Sequence, residues 1–196
     1  MMKYILPFVF ALSLFSSNAM ANAPVERFLL DLVTEAEEIR ESRANDNQKR
    51  QQFDDLLEEY FDFSTVGAFV ASYHWKNMTV SQQEKFLILF RKNLLNKVTG
   101  AMGIISFDNF DFIESTKIEG NGNGEFWFVD STYIKVADVQ WRLKKTNIGF
   151  KIVDVVFEGI SLANTYRSEY SSAMEMLGVE RFLEVLQEKV DKDLKK

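Results

Sequence analysis

An α+β fold is predicted for this chain: helices first, then an antiparallel sheet of about four strands, then helices again. Three observations carry the prediction. Apolar residues recur at helical spacing from Val25 to Val98, alternate with a period of two from about Phe107 to Phe157, and return to helical spacing after Gly159. No internal repeat, linker or low-complexity tract interrupts that order, so residues 22–196 are expected to form a single domain.

The opening residues stand apart from that domain. "MMKYILPFVFALSLFSSNAMANA" has one charge at its start (Lys3), an apolar run from Tyr4 to Phe15, and small residues at Ala19 and Ala21. That is the build of a secretory signal peptide over residues 1–21, cleaved after Ala21. Its apolar core is about a dozen residues, short of the roughly 20 that a bilayer-spanning helix needs, and no later segment has an uninterrupted run of that length.

The first helix of the domain is read from "APVERFLLDLVTEAEEIRESR", where Val25, Phe28, Leu29, Leu32, Val33, Ala36 and Ile39 form one stripe. The polar run "ANDNQKRQQ" either loops or opens the next helix, whose stripe is Phe53, Leu56, Leu57, Tyr60 and Phe61. A short helix follows through Val66, Phe69, Val70 and Tyr73. "MTVSQQEKFLILFRKNLLNKV" then offers two overlapping capping boxes, Thr79 with Gln82 and Ser81 with Glu84, ahead of Phe86, Leu89, Phe90, Leu94 and Val98.

In the sheet, "FDNFDFIESTKIEG" reads as a strand and "NGNG" as its turn. "EFWFVDSTYIKV" alternates Phe126, Phe128, Ile134 and Val136 against Trp127, Val129 and Tyr133, so both faces are expected to be covered. "VQWRLKK" sets Val139, Trp141 and Leu143 against Gln140, Arg142 and Lys144, a strand with one face in water. Asn147 and Gly149 close a hairpin into "FKIVDVVFEG". That strand passes into a helix with almost no loop. Gly159 relieves crowding at the corner, Ser161 caps the helix, and Leu162, Tyr166, Tyr170, Ala173 and Leu177 run down one face to Gly178. Such a corner serves either as well-made core or as one wall of an internal space.

Composition narrows the function. Lys+Arg 23 against Asp+Glu 29 gives a net charge of −6, a poor match to nucleic acid or to unaided adhesion on anionic lipid. There is no Cys, so stability must come from a core that 18 Phe, 6 Tyr and 3 Trp can fill. An enzyme is not expected: the one histidine, His74, has no Cys and no second His to work with, and neither a nucleophile elbow nor a phosphate-cradling glycine loop is present. Nothing calls for a cofactor or a metal. Asp154, inside an apolar strand, is either a hydrogen-bonded brace for the corner or an acid with a shifted pKa.

Two blocks carry a resemblance. "KIVDVVFEGISLANTYRSEYSSAMEMLGVERFLEVLQEKV" is similar to the C-terminal signature of the MlaC family, periplasmic phospholipid-binding proteins also called toluene-tolerance auxiliary proteins. "FDFSTVGAFVASYHWKNMTVSQQEKFLILFRKNLL" resembles that family's other recognisable block, with Ala71-Ser72 where Leu-Gly is expected before Tyr73. With the sheet between them the blocks cover about residues 53–190. The resemblance implies a twisted antiparallel sheet and helices enclosing an apolar lipid cavity. It also implies a periplasmic carrier that shuttles phospholipid between outer-membrane and inner-membrane complexes to maintain outer-membrane lipid asymmetry. The implied partners are an outer-membrane lipoprotein associated with porin and an inner-membrane ABC transporter with a lipid-binding hexameric subunit.

Candidate lipid contacts are Phe69, Val70, Tyr73, Phe86, Phe90 and Leu94 from the helices. Phe126, Phe128, Trp141, Leu143, Ile152 and Val156 come from the sheet, and Leu162 and Tyr166 from the corner. Each is equally compatible with ordinary core. Arg167 is a candidate for the headgroup phosphate, or else a cation paired with Glu169 or Glu158. Another apolar ligand, such as a polyprenoid or hopanoid, or a ligand-free adaptor with a closed core, remains open at this point.

Overall fold

The first long apolar stripe becomes α1 (Asn18–Glu41), which buries Val25, Leu29, Leu32 and Ala36 at spacings of four, three and four. The structure is a computed structural model that describes residues 18–101, 110–120, 124–133 and 137–193. The run that sequence leaves between loop and helix opens α2 (Asp46–Tyr60). Asn45 accepts from the Gln48 N–H at 3.0 Å, and the Gln48 side chain accepts from the Asn45 N–H at 3.1 Å, a reciprocal capping box. Asp62 caps α3 (Phe63–Ala71) by accepting from the Thr65 N–H at 2.9 Å. A 3-10 turn over Ser72–Asn77 follows, and then α4 (Val80–Ala101). Of the two capping boxes before α4, the Thr79–Gln82 pair forms, with bonds of 3.0 and 3.2 Å.

The sheet comprises β1 (Phe110–Gly120), β2 (Gly124–Tyr133), β3 (Ala137–Thr146), β4 (Gly149–Phe157) and a two-residue β5 (Ile160–Ser161). They lie in sequence order and pair antiparallel throughout. Residues 121–123 of the "NGNG" turn, and Ile134 and Val136, lie outside the described residues. The connection from β4 is a hairpin rather than a bare corner. Phe157 pairs with Ile160 across Glu158 and Gly159, whose φ angles are 48° and 76°. Positive φ at both central residues is the geometry of a tight turn that matches strand twist. Ser161 then caps α5 (Leu162–Leu177) by accepting from the Asn164 N–H at 3.0 Å, and Gly178, at φ 75°, links α5 to α6 (Val179–Asp193).

A bulge decides which β4 side chains face the helices. Arg142 pairs with Asp154, but the next residue, Leu143, pairs with Ile152, leaving Val153 as the extra residue. Trp141 and Leu143 share a face, and their partners are Val155 and Ile152. Val155 and Ile152 therefore face the same side although three residues apart. Val156, partnered with Gln140, faces the other way.

Two clusters make up the core. One joins α1 and α2 to the sheet through Val25, Leu29, Phe53, Tyr60, Val129, Leu143 and Ile152. The other packs α3 to α6 through Val66, Val70, Phe86, Phe90, Tyr166, Tyr170, Phe182 and Leu183. Its aromatic rings interlock edge to face, with Phe90 and Tyr166 centroids 5.9 Å apart and Tyr170 and Phe182 at 5.1 Å. Gly67 sits where α3 packs on α4, and a Cβ there would make the Leu87 side chain shift.

Candidate functional site

Where the two clusters meet, a cavity of about 220 Å³ remains. Helix α1 contributes Leu32, Val33 and Ala36, α2 contributes Phe53 and Leu57, and Phe61 follows in the link to α3. Phe63 and Val66 line it from α3, Phe90 and Leu94 from α4, and Leu162, Ala163 and Tyr166 from α5. The sheet adds Trp141, Val153, Asp154 and Val155. A wall that is almost wholly apolar suits acyl chain better than water.

The β4 part of the wall is exposed to the cavity for a backbone reason. Phe61 bridges to Ile152, with the Asp62 N–H donating to the Ile152 carbonyl at 2.9 Å, and β5 covers Val156 and Phe157. Between those two attachments Val153–Asp154–Val155, paired with β3 on one edge, has no strand on its other edge among the described residues, and it lines the cavity. Asp154 is the charged member of the wall, and its carboxylate is occupied. Its Oδ1 accepts from the Ala163 N–H at 2.9 Å, and its Oδ2 from Ser161 Oγ at 2.6 Å and from Arg142 at 3.2 Å. The aspartate is thus the brace of the corner, tying β3, β4 and the first turn of α5 together.

Of the sequence candidates, Phe90, Leu94, Trp141, Leu162 and Tyr166 are brought together around the cavity. Val70 and Phe86 lie in the α3–α6 core, and Leu143 and Ile152 in the other core. Phe69 and Tyr73 are largely exposed. Phe126 and Phe128 pair with Lys144 and Arg142, on the sheet face away from Trp141, and the Arg142 guanidinium lies 5.3 Å from the Phe128 ring centroid. Val156 is on that far face as well. The Arg167 guanidinium lies over Phe69, 4.5 Å from its ring centroid, away from the cavity wall.

Sequence reasoning did not single out the contribution of α1 and α2. Leu32 and Val33 are adjacent, as are Leu56 and Leu57, and such doublets mark a stripe wide enough to face both a core and a second surface. Phe61 and Phe63, at a helix break, carried a similar signal.

Electrostatics leaves the wall uncharged apart from the braced aspartate. Burial, with the Glu169 charge, pushes the Tyr166 hydroxyl up to about 12, so it stays protonated at any physiological pH. Outside the cavity, burial raises the Asp54 carboxyl above the ordinary carboxylate range despite Arg50 and Arg91 nearby. Among the described residues no group of three His, Cys, Asp or Glu is placed to hold a metal ion, and no helix is long and apolar enough to cross a membrane.

The model of the family described as MlaC protein matches residues 29–188, a span that includes every residue of the cavity wall. The chain belongs to the MlaC family. Its fold is that of a solved structure described as the phospholipid-binding protein from Ralstonia solanacearum in complex with a phospholipid. The two superpose with a TM-score of 0.71 at 17% identity, over 89% of this chain and 98% of that one. The α+β order of helices, antiparallel sheet and helices is therefore shared with that structure.

Proposed function

We propose that this chain is a periplasmic phospholipid carrier. The observation that carries the reading is the apolar cavity between the two cores, walled by five helices and two strands. Membership of the MlaC family supports it, and so does the bound phospholipid in the structural relative. The chain is exported by a signal peptide over residues 1–21. It moves lipid between an outer-membrane lipoprotein–porin complex and an inner-membrane ABC transporter with a hexameric lipid-binding subunit, and so maintains outer-membrane lipid asymmetry. It carries lipid without chemically altering it.

Energetics explains why docking on partners belongs to the mechanism. Burying about thirty methylenes at about 0.8 kcal/mol each is worth about 24 kcal/mol relative to water. That exceeds the roughly 18–21 kcal/mol at which non-covalent affinities saturate. The working reference is a bilayer or a partner's apolar channel, against which the difference is small enough for both loading and release. A net charge of −6 keeps the carrier off anionic membrane except where a receptor holds it.

Native mass spectrometry of the protein purified from periplasm, followed by extraction and lipid identification, tests the reading. A diacyl phospholipid at a fixed stoichiometry is expected. A polyprenoid or hopanoid in its place would keep the carrier and change its cargo. A protein that arrives empty and takes up no lipid from vesicles would make the cavity a packing defect.

A further inference from the structure

Tyr166 is part of the cavity wall, and the Lys97 ammonium lies over its ring, 4.8 Å from the centroid. Lys97 is exposed and follows the lining residue Leu94 by about one turn of α4. Leu162, one turn before Tyr166, lines the cavity and is yet 41% exposed, so the cavity meets solvent beside this pair. Three cations of the fold are held by carboxylates, Arg91 by Glu58, Arg142 by Asp154 and Lys144 by Asp62. Lys97 forms no ion pair among the described residues, not even with Glu169, whose charge acts on the same tyrosine.

We propose that Lys97 is the phosphate contact of the lipid held in this cavity, with the Tyr166 ring fixing the ammonium at the mouth. The inference rests on the carrier reading. One face of an ammonium is enough for the ring, which leaves N–H donors pointing outward for phosphodiester oxygens. An anion nearing this acidic chain is repelled by the whole and attracted at this point, so acyl chains inside and phosphate at Lys97 is the orientation favoured. Arg167, the cation suggested by sequence, rests on Phe69 outside the cavity.

The test compares wild type with Lys97→Gln, Lys97→Arg and Arg167→Gln by native mass spectrometry after incubation with phosphatidylglycerol vesicles, and separately with vesicles containing diacylglycerol. Lys97→Gln is expected to retain about two- to fivefold less phosphatidylglycerol, the range of an exposed charge pair, with the deficit shrinking at raised salt. Lys97→Arg restores retention, diacylglycerol occupancy is the same in all four proteins, and replacing chloride by inorganic phosphate at matched ionic strength changes nothing. Equal phosphatidylglycerol retention in Lys97→Gln, a parallel loss of diacylglycerol, or a loss confined to Arg167→Gln would overturn the assignment. Displacement of Lys97-dependent binding by inorganic phosphate would overturn it in favour of a free-anion site. If wild type takes up neither lipid, the carrier reading itself falls and this one with it.

Discussion

Ser72 shows what a single residue costs this fold. It sits at φ 58° and ψ −137°, a region that glycine occupies freely and serine does not, at the position where the family pattern leads one to expect glycine. Relieving the strain while adding glycine's unfolded-state freedom leaves a net gain, so Ser72→Gly is expected to stabilise the protein by about 1 kcal/mol. Urea unfolding followed by circular dichroism measures it. Asp154 is the opposite case, a buried carboxylate held by three partners, Ala163, Ser161 and Arg142. Asp154→Asn turns an acceptor toward Arg142 into a donor and is expected to destabilise by about 1–3 kcal/mol. Lipid carried per folded molecule should not change, and loss of lipid without loss of stability would contradict the brace. The strangeness of Asp154 was legible in sequence because a carboxylate interrupts an apolar strand. Its partners were not, since Arg142 and Ala163 are brought to it by strand pairing and a hairpin.

At the level of elements, caps and stripes were readable and faces were not. Thr79–Gln82 and Ser161 act where their spacing places them, because a cap is a contact within four residues. Strand faces depend on register, and one bulge at Val153 is enough to separate Ile152 from Val156. The α2–α4 interface carries a testable consequence of burial. Asp54 has its pKa raised in the folded state, so folding favours its protonated form: stability is lowest above the folded pKa and rises as pH falls through it, until the unfolded pKa near 4 is reached. Asp54→Asn is therefore expected to be at least as stable as wild type at neutral pH and to lose this acid-side gain, as read from melting temperature against pH. A variant that melts lower at neutral pH would mean that attraction to Arg50 and Arg91 outweighs the burial.

For the whole molecule, the order of layers followed from periodicity alone, whereas the cavity did not. Lining and core residues share one chemistry, and only the meeting of two separately packed clusters tells Phe90 from Phe86. Ala36 lies in the wall and is 2% exposed, so a larger side chain there must grow into the cavity. Ala36→Phe is expected to remain folded, with empty-state stability unchanged or raised, and to copurify with markedly less lipid. Full lipid content in that variant would place the cargo elsewhere.

The seam between the two clusters has a consequence for turnover. A ligand lying in it touches both cores, so it stabilises the native state by an amount set by its occupancy. Loaded and empty molecules would then differ in how often they open far enough to be cut. An empty molecule would be the one a protease removes first, and the amount of protein would adjust itself to the supply of ligand.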